Sequence, residues 1–310
     1  MLPIRKTDET SLIAATFTPM LPGGHLDLGK IPGMVNRLIQ EGITGLFACG
    51  GTGEGNSLTS AERKATAEAH VKAAAGRVPV IIQVGHNCLL EARDLAAHAA
   101  AIGADGIAAI SPTYNKPESP EALVDCLELI ASGAPELPFL YYHFPQRTGL
   151  NLDIPTFLQY SVSRLPSLQG VKFSDTRLFD LQACREVANG RYLIFYGVDE
   201  MLLSGLAAGA CGGIGSTFNF AAPLFKRIIT AFDQNDDVTA MQAQALAAKM
   251  IRVILSYGGL SAQKAVMEFI NADCGPIRLP NVSLSANAVN EMRYELEAIG
   301  FFDWARPKEK

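Results

Sequence analysis

Short runs of apolar and β-branched residues recur at 13–17, 45–49, 78–84, 106–111, 138–144, 168–174, 192–198 and 212–217. Each is the length of a strand and is bounded by glycine, proline or polar turn residues, so eight strands are expected. Between them, segments 31–40, 61–75, 91–102, 120–132, 154–161, 178–187 and 200–208 space their apolar residues for one face of a helix. Strict alternation of strand and helix predicts a parallel sheet. Eight such units with near-continuous apolar strands fit a closed (β/α)8 TIM barrel better than an open doubly wound sheet. After Asn219 the pattern is purely helical, over 223–233, 238–255, 262–271 and 286–298. Residues 1–222 therefore read as a barrel carrying the active site, and 223–310 as a helical extension packed on it.

Turn residues support this order. Gly103-Ala104-Asp105-Gly106 and Gly209-Ala210-Cys211-Gly212-Gly213 are tight helix-to-strand connections in which glycine supplies the left-handed cap. The mouth of such a barrel is built from the C-terminal ends of its strands. Those ends hold Thr18, the glycine-rich run 50–54, Tyr114, Tyr142, Lys172 and Asp199, with Ser216 close behind.

Lys172 is the most informative of these, because it interrupts the apolar run Leu168-Gln169-Gly170-Val171-Lys172-Phe173-Ser174. A strand there must either bury the ammonium or let its stem snorkel to solvent. A buried ammonium loses hydration, its pKa falls, and the neutral amine becomes available to form a Schiff base with a carbonyl. Tyr142 ends the preceding strand and is placed to pass protons at the same carbonyl, or else to pack. The run Cys49-Gly50-Gly51-Thr52-Gly53-Glu54-Gly55 is either a sharp turn or a nest of backbone amides suited to a carboxylate or phosphate. It lacks the Gly-Lys-Ser/Thr of a P-loop and the spacing of a dinucleotide fingerprint. Asp199-Glu200 either accepts hydrogen bonds from substrate hydroxyls or complements a helix N-terminus.

Composition narrows the class of ligand. The net charge is −5 and no Lys/Arg-rich stripe occurs, which argues against nucleic acid or an anionic membrane and leaves a small molecule as the expected partner. Six scattered cysteines form no CxxC pair and five histidines form neither HxH nor HExxH, so neither disulfides nor a metal is expected. With no apparent signal segment, a cytoplasmic location is expected.

Together these segments resemble the dihydrodipicolinate synthase and N-acetylneuraminate lyase family of class I aldolases, over nearly the whole chain. The pattern is most similar to the eukaryotic lyase branch, through Tyr141-Tyr142-His143-Phe144-Pro145, Gly170-Val171-Lys172-Phe173-Ser174-Asp175-Thr176 and Gly197-Val198-Asp199-Glu200, extended by 213–219 and 275–280. The resemblance implies a (β/α)8 barrel with a helical C-terminal extension. It makes Lys172 the Schiff-base lysine, Tyr142 the proton-shuttling phenol, and Gly51, Thr52 and neighbouring amides the site of a pyruvate carboxylate. Asp199, Glu200 and Ser216 match positions that hold the sugar chain's hydroxyls, Ser174 falls where the lyases place a hydroxyl near the bond being cleaved, and Gly197 belongs to the same substrate-binding site. Tyr114 matches a tyrosine that reaches into a neighbouring subunit's site, which implies a tight dimer and a homotetramer. Neither metal nor organic cofactor follows from the resemblance.

Two positions depart from the family pattern. Gly51 stands where the family usually has a serine or threonine that relays protons between the two tyrosines. Arg147 stands where the lyases usually have an apolar residue and the synthases have an arginine that grips a substrate carboxylate. Three readings are carried forward. The first is cleavage of N-acetylneuraminate to pyruvate and N-acetylmannosamine; the second is dihydrodipicolinate synthase-like chemistry, or an aldolase or dehydratase for another 2-keto-3-deoxy sugar acid. The third is a keto-acid or sugar-acid binding protein without turnover.

Overall fold

The apolar runs form eight parallel strands: β1 (Ser11–Ala15), β2 (Gly45–Ala48), β3 (Val80–Gln83), β4 (Gly106–Ile110), β5 (Phe139–His143), β6 (Leu168–Phe173), β7 (Leu193–Tyr196) and β8 (Gly212–Gly215). The computed structural model describes residues 10–305. Each strand pairs with the next, and β8 pairs with β1 through Leu12 opposite Gly213 and Ile13 opposite Ile214, closing the expected barrel. Side chains alternate across the sheet with period two. Ile13, Phe47, Ile81, Ala108, Leu140, Tyr142, Phe195 and Ile214 fill the interior. Leu12, Leu46, Val80, Ile107, Phe139, Val171 and Ile194 face the surrounding helices.

The strands end earlier than the apolar runs. Phe17, Cys49, Ser111, Ser174 and Thr217 lie beyond the last ladder residues, because the chain turns outward at the mouth: Cys49 takes φ +60°. Hydrogen bonding persists one step further where Ser174 N donates to His143 O at 2.9 Å and Gly197 N to Phe173 O at 2.9 Å. That step keeps the first loop residues in register with the strands that carry them.

Most intervening helices match the predicted spans, including Ile31–Gln40, Ser60–Ala74, Leu89–Ala101 and Pro120–Ala131. Their starts are chemically marked. Thr59 and Glu62 form a reciprocal capping box, and Ser119 and Asp153 accept from the third residue of their helices. The helix expected from 223 begins earlier, running Phe218–Asp233 with a non-helical Ala221 inside it. Pro223 has no N–H to offer the Asn219 carbonyl, which accepts from Arg37 Nη2 at 2.6 Å instead.

Three longer helices complete the extension: Asp237–Ser256, Leu260–Phe269 and Ala286–Ala298. The first is long and apolar enough by composition to cross a bilayer. Here it buries Ala240, Ala243, Ala247, Met250, Ile251 and Ile254, the signature of a helix packed on a core.

Candidate active site

Lys172 projects from β6 into the barrel mouth and is only 4% exposed. In register it lies between Tyr142 on β5 and Phe195 on β7. Its Nζ sits 4.3 Å from the centroids of both the Phe47 and Tyr142 rings. Burial drives the ammonium pKa from the ordinary 10.5 down to about 7, and the Asp199 carboxylate opposes part of that fall. The aromatic faces soften the cost of a charge without restoring hydration. Near neutral pH a large fraction of Lys172 is therefore the unprotonated amine, the form that attacks a carbonyl.

The Tyr142 phenol is buried too, and desolvation pushes its pKa up; the neighbouring Ser174 hydroxyl and the Arg147 guanidinium push the other way. Ser174 is 3% exposed and its Oγ makes no well-aligned hydrogen bond within the chain, leaving a buried hydroxyl at the mouth to meet a ligand. Room for it exists because position 197 is glycine. A Cβ at Gly197 would lie 2.1 Å from Ser174 Oγ and in van der Waals contact with Lys172 Cε at 3.4 Å, so any larger residue there displaces Ser174 beside the lysine.

Asp199 follows β7 and is buried, yet its carboxylate is well held. Thr217 donates to Oδ2 twice, from the amide at 2.9 Å and from the hydroxyl at 2.7 Å. Desolvation raises the Asp199 pKa, while the bonds from Thr217, the positive Lys172 and the Ser216 amide lower it. Gly215 makes the approach possible, since a Cβ there would come within 2.3 Å of Asp199 Oδ1. Glu200 stands exposed on the rim, its pKa raised by partial desolvation and by the neighbouring Asp199. Ser216 is half-buried beside them.

Opposite, the turn after β2 presents Gly51 and Thr52. Thr52 is half-buried and its hydroxyl pairs with no other described residue. Gly51 is exposed, and a Cβ there would meet nothing within 4 Å. Gly53 and Gly55 are tightly confined instead, with added Cβ atoms at 3.0 Å from Thr16 O and 2.0 Å from Cys49 O. Thus two glycines are needed for backbone packing, while Gly51 leaves an open position at the mouth.

Arg147 lies on the short helix Pro145–Thr148 just past β5, exposed and within electrostatic reach of the Tyr142 phenol. Tyr114 stands apart on the loop after β4 and is 87% exposed. The structure therefore gathers Lys172, Tyr142, Ser174, Gly197 and Asp199 within one cluster, places Thr52, Glu200, Ser216 and Arg147 around its rim, and leaves Tyr114 outward.

Some contributors carried no visible signal in sequence. Phe47 reads as an ordinary core residue, and only barrel closure brings it beneath Lys172. His143, on the outer face of β5, lies 3.5 Å from Asp175 Oδ2 and backs the turn that carries Ser174. Burial lowers its pKa to about 4, so it is neutral at pH 7. Among the described residues no group of three or more His, Cys, Asp or Glu side chains is arranged to hold a metal.

A buried, desolvated lysine beside a phenol at the mouth of a closed (β/α)8 barrel fits a class I aldolase, and the chain's similarity to known proteins lies in that class. The model of the dihydrodipicolinate synthetase family matches residues 8–299, and the chain belongs to that family. It is 40% identical to N-acetylneuraminate lyase of Gallus gallus over 96% of this chain and 98% of the relative. Against N-acetylneuraminate lyase of Homo sapiens identity is 37% over 96% of this chain and 95% of the other. Its fold superposes on Proteus mirabilis N-acetylneuraminate lyase with a TM-score of 0.91 and 35% identity, covering 94% of this chain and 99% of that one.

Proposed function

We propose that this enzyme cleaves N-acetylneuraminate to pyruvate and N-acetylmannosamine through a Schiff base on Lys172. The observation that carries the reading is the desolvated lysine, with a pKa of about 7, in contact with the Tyr142 ring. The neutral amine adds to the ketone of the open-chain sugar acid, and loss of water leaves an iminium. Tyr142 donates its phenolic proton to the hydroxyl that leaves as that water, and the resulting phenolate then takes up the proton of the adjacent hydroxyl while the iminium accepts the electron pair of the breaking carbon–carbon bond. The aldehyde departs, and the remaining enamine is protonated and hydrolysed to pyruvate and free Lys172. Because the iminium serves as the electron sink, the cycle balances without a metal or organic cofactor.

Thr52 and amides around Gly51 are assigned to the pyruvate carboxylate. Asp199, Glu200 and Ser216 are assigned to the hydroxyls of the sugar chain, Ser174 to the neighbourhood of the bond being cleaved, and Gly197 to the same substrate site. The buried Ser174 hydroxyl beside the Tyr142 phenol and the firmly anchored Asp199 carboxylate support a polyol-binding wall. The catalytic unit is assigned to residues 1–222 and the extension to 223–310. Tyr114, exposed on its loop, is assigned to the site of a neighbouring subunit in a homotetramer, and the location to the cytoplasm.

The test is borohydride trapping with N-acetylneuraminate, followed by peptide mass spectrometry. A pyruvyl adduct on Lys172 is expected, with none in Lys172→Ala. Turnover retained by Lys172→Ala removes the mechanism. Arg147 favours a second reading, a synthase-like enzyme whose second substrate carries a carboxylate. Labelling by pyruvate but not by the sugar, with turnover of pyruvate and aspartate semialdehyde, would select it.

A further inference from the structure

The glycine-rich turn is held from outside the barrel. Glu54, at its end, takes φ +55°, and its side chain is 1% exposed. Both carboxylate oxygens are used by the helical extension. Lys264 Nζ, on Leu260–Phe269, donates to Oε1 at 2.7 Å, and the Arg278 amide donates to Oε2 at 2.7 Å. The same ammonium donates to the Thr18 carbonyl at 3.0 Å, and the Thr18 hydroxyl donates to Gly53 O at 2.7 Å. One buried cation, with its side chain 2% exposed, thus joins the chain after β1, the turn after β2 and the extension, two residues from Thr52.

Packing alone gives no reason for such a pair. Desolvating two charges is expensive, and an apolar pair of similar volume commonly packs as well or better. What the apolar pair lacks is direction. A carboxylate gripped by donors on both oxygens holds Glu54 in its left-handed conformation and thereby sets where the Thr52 hydroxyl and the neighbouring amides point.

We propose that Lys264 is a positioning residue for the carboxylate end of the active site, acting through Glu54 and the Thr18 carbonyl to hold the 50–54 turn in the orientation that grips a keto acid. This rests on the assignment of that turn as the carboxylate site. The extension then contributes to substrate affinity without touching the substrate.

Borohydride trapping with pyruvate tests it in wild type, Lys264→Met and the double variant Glu54→Gln/Lys264→Met, with thermal unfolding on the same samples. Lys264→Met leaves a buried carboxylate unpaired and is expected to lose stability; the double variant removes both charges together and is expected to stay folded. In the double variant the half-saturating pyruvate concentration should rise about tenfold, while the limiting labelling rate stays within about twofold, because Lys172 and Tyr142 are untouched. The double variant Glu54→Gln/Lys264→Gln, which keeps a neutral donor at position 264 and leaves no unpaired carboxylate, gives a second folded comparison with an intermediate half-saturation. Wild-type half-saturation in either folded variant overturns the positioning role, as does a fall in limiting rate at unchanged half-saturation. If wild type itself is never labelled at Lys172, the aldolase reading fails, and this inference falls with it.

Discussion

Replacing Lys172 by methionine should inactivate the enzyme and stabilise the fold. The ammonium titrates near pH 7 in the native protein and near 10.5 when the chain unfolds. That interval, at about 1.36 kcal/mol per pH unit, corresponds to roughly 5 kcal/mol of stability given up to keep a lysine at this site. Below about pH 7 both states are charged and the full cost is present. Between 7 and 10.5 the unfolded chain binds one more proton than the native one, so wild-type stability climbs with pH and the cost is gone above 10.5. Methionine has a similar unbranched stem and no charge, so Lys172→Met should be more stable than wild type by about 3–5 kcal/mol at pH 6.5. The advantage should shrink steadily towards pH 10. Urea denaturation followed by circular dichroism, at matched protein concentration from pH 6 to 10, measures the difference directly. Equal stability at pH 6.5, or a difference that does not change with pH, would show that the lysine reaches solvent and would refute the desolvation argument.

Three further outcomes follow from the site geometry. Gly197→Ala should cost about 1–3 kcal/mol and at least tenfold in kcat/KM, because the new methyl overlaps Ser174 Oγ and forces that side chain to move beside Lys172; near-wild-type kinetics and melting would contradict that packing. Gly51→Ser, entering open space, should change stability by no more than about 0.5 kcal/mol and raise kcat by supplying the missing relay hydroxyl, and an unchanged or lower kcat would count against the relay. Asp199→Asn removes the anion that holds the Lys172 pKa up, so the acidic limb of pyruvate trapping should move to lower pH; a move the other way would show that Asp199 does not act on the lysine.

Much of the architecture was legible from local pattern. Apolar runs of strand length, helical spacing between them and glycine at the turns are short-range properties, and they predicted the eight-stranded barrel. Lys172 and Tyr142 were readable as a pair because each interrupts or ends an apolar run on adjacent strands, and register then sets them side by side. The boundaries shifted where tertiary hydrogen bonding competed with propensity, as at Asn219, whose carbonyl is satisfied by Arg37 rather than by its own helix.

The chemistry of the site depended on contacts that no window of sequence contains. The Lys172 pKa is set by the low dielectric of a closed barrel and by Phe47 four strand-pairings away on the other side of the mouth, not by Val171 or Phe173 beside it in the chain. Glu54 looked like the polar end of a turn, yet its partner Lys264 is 210 residues away. Residue types and their spacing therefore determined which groups were available and on which strand ends they stand. Only barrel closure and the docking of the extension decided which groups lose their water and which are oriented, because desolvation and hydrogen-bond geometry are properties of surroundings assembled from the whole chain.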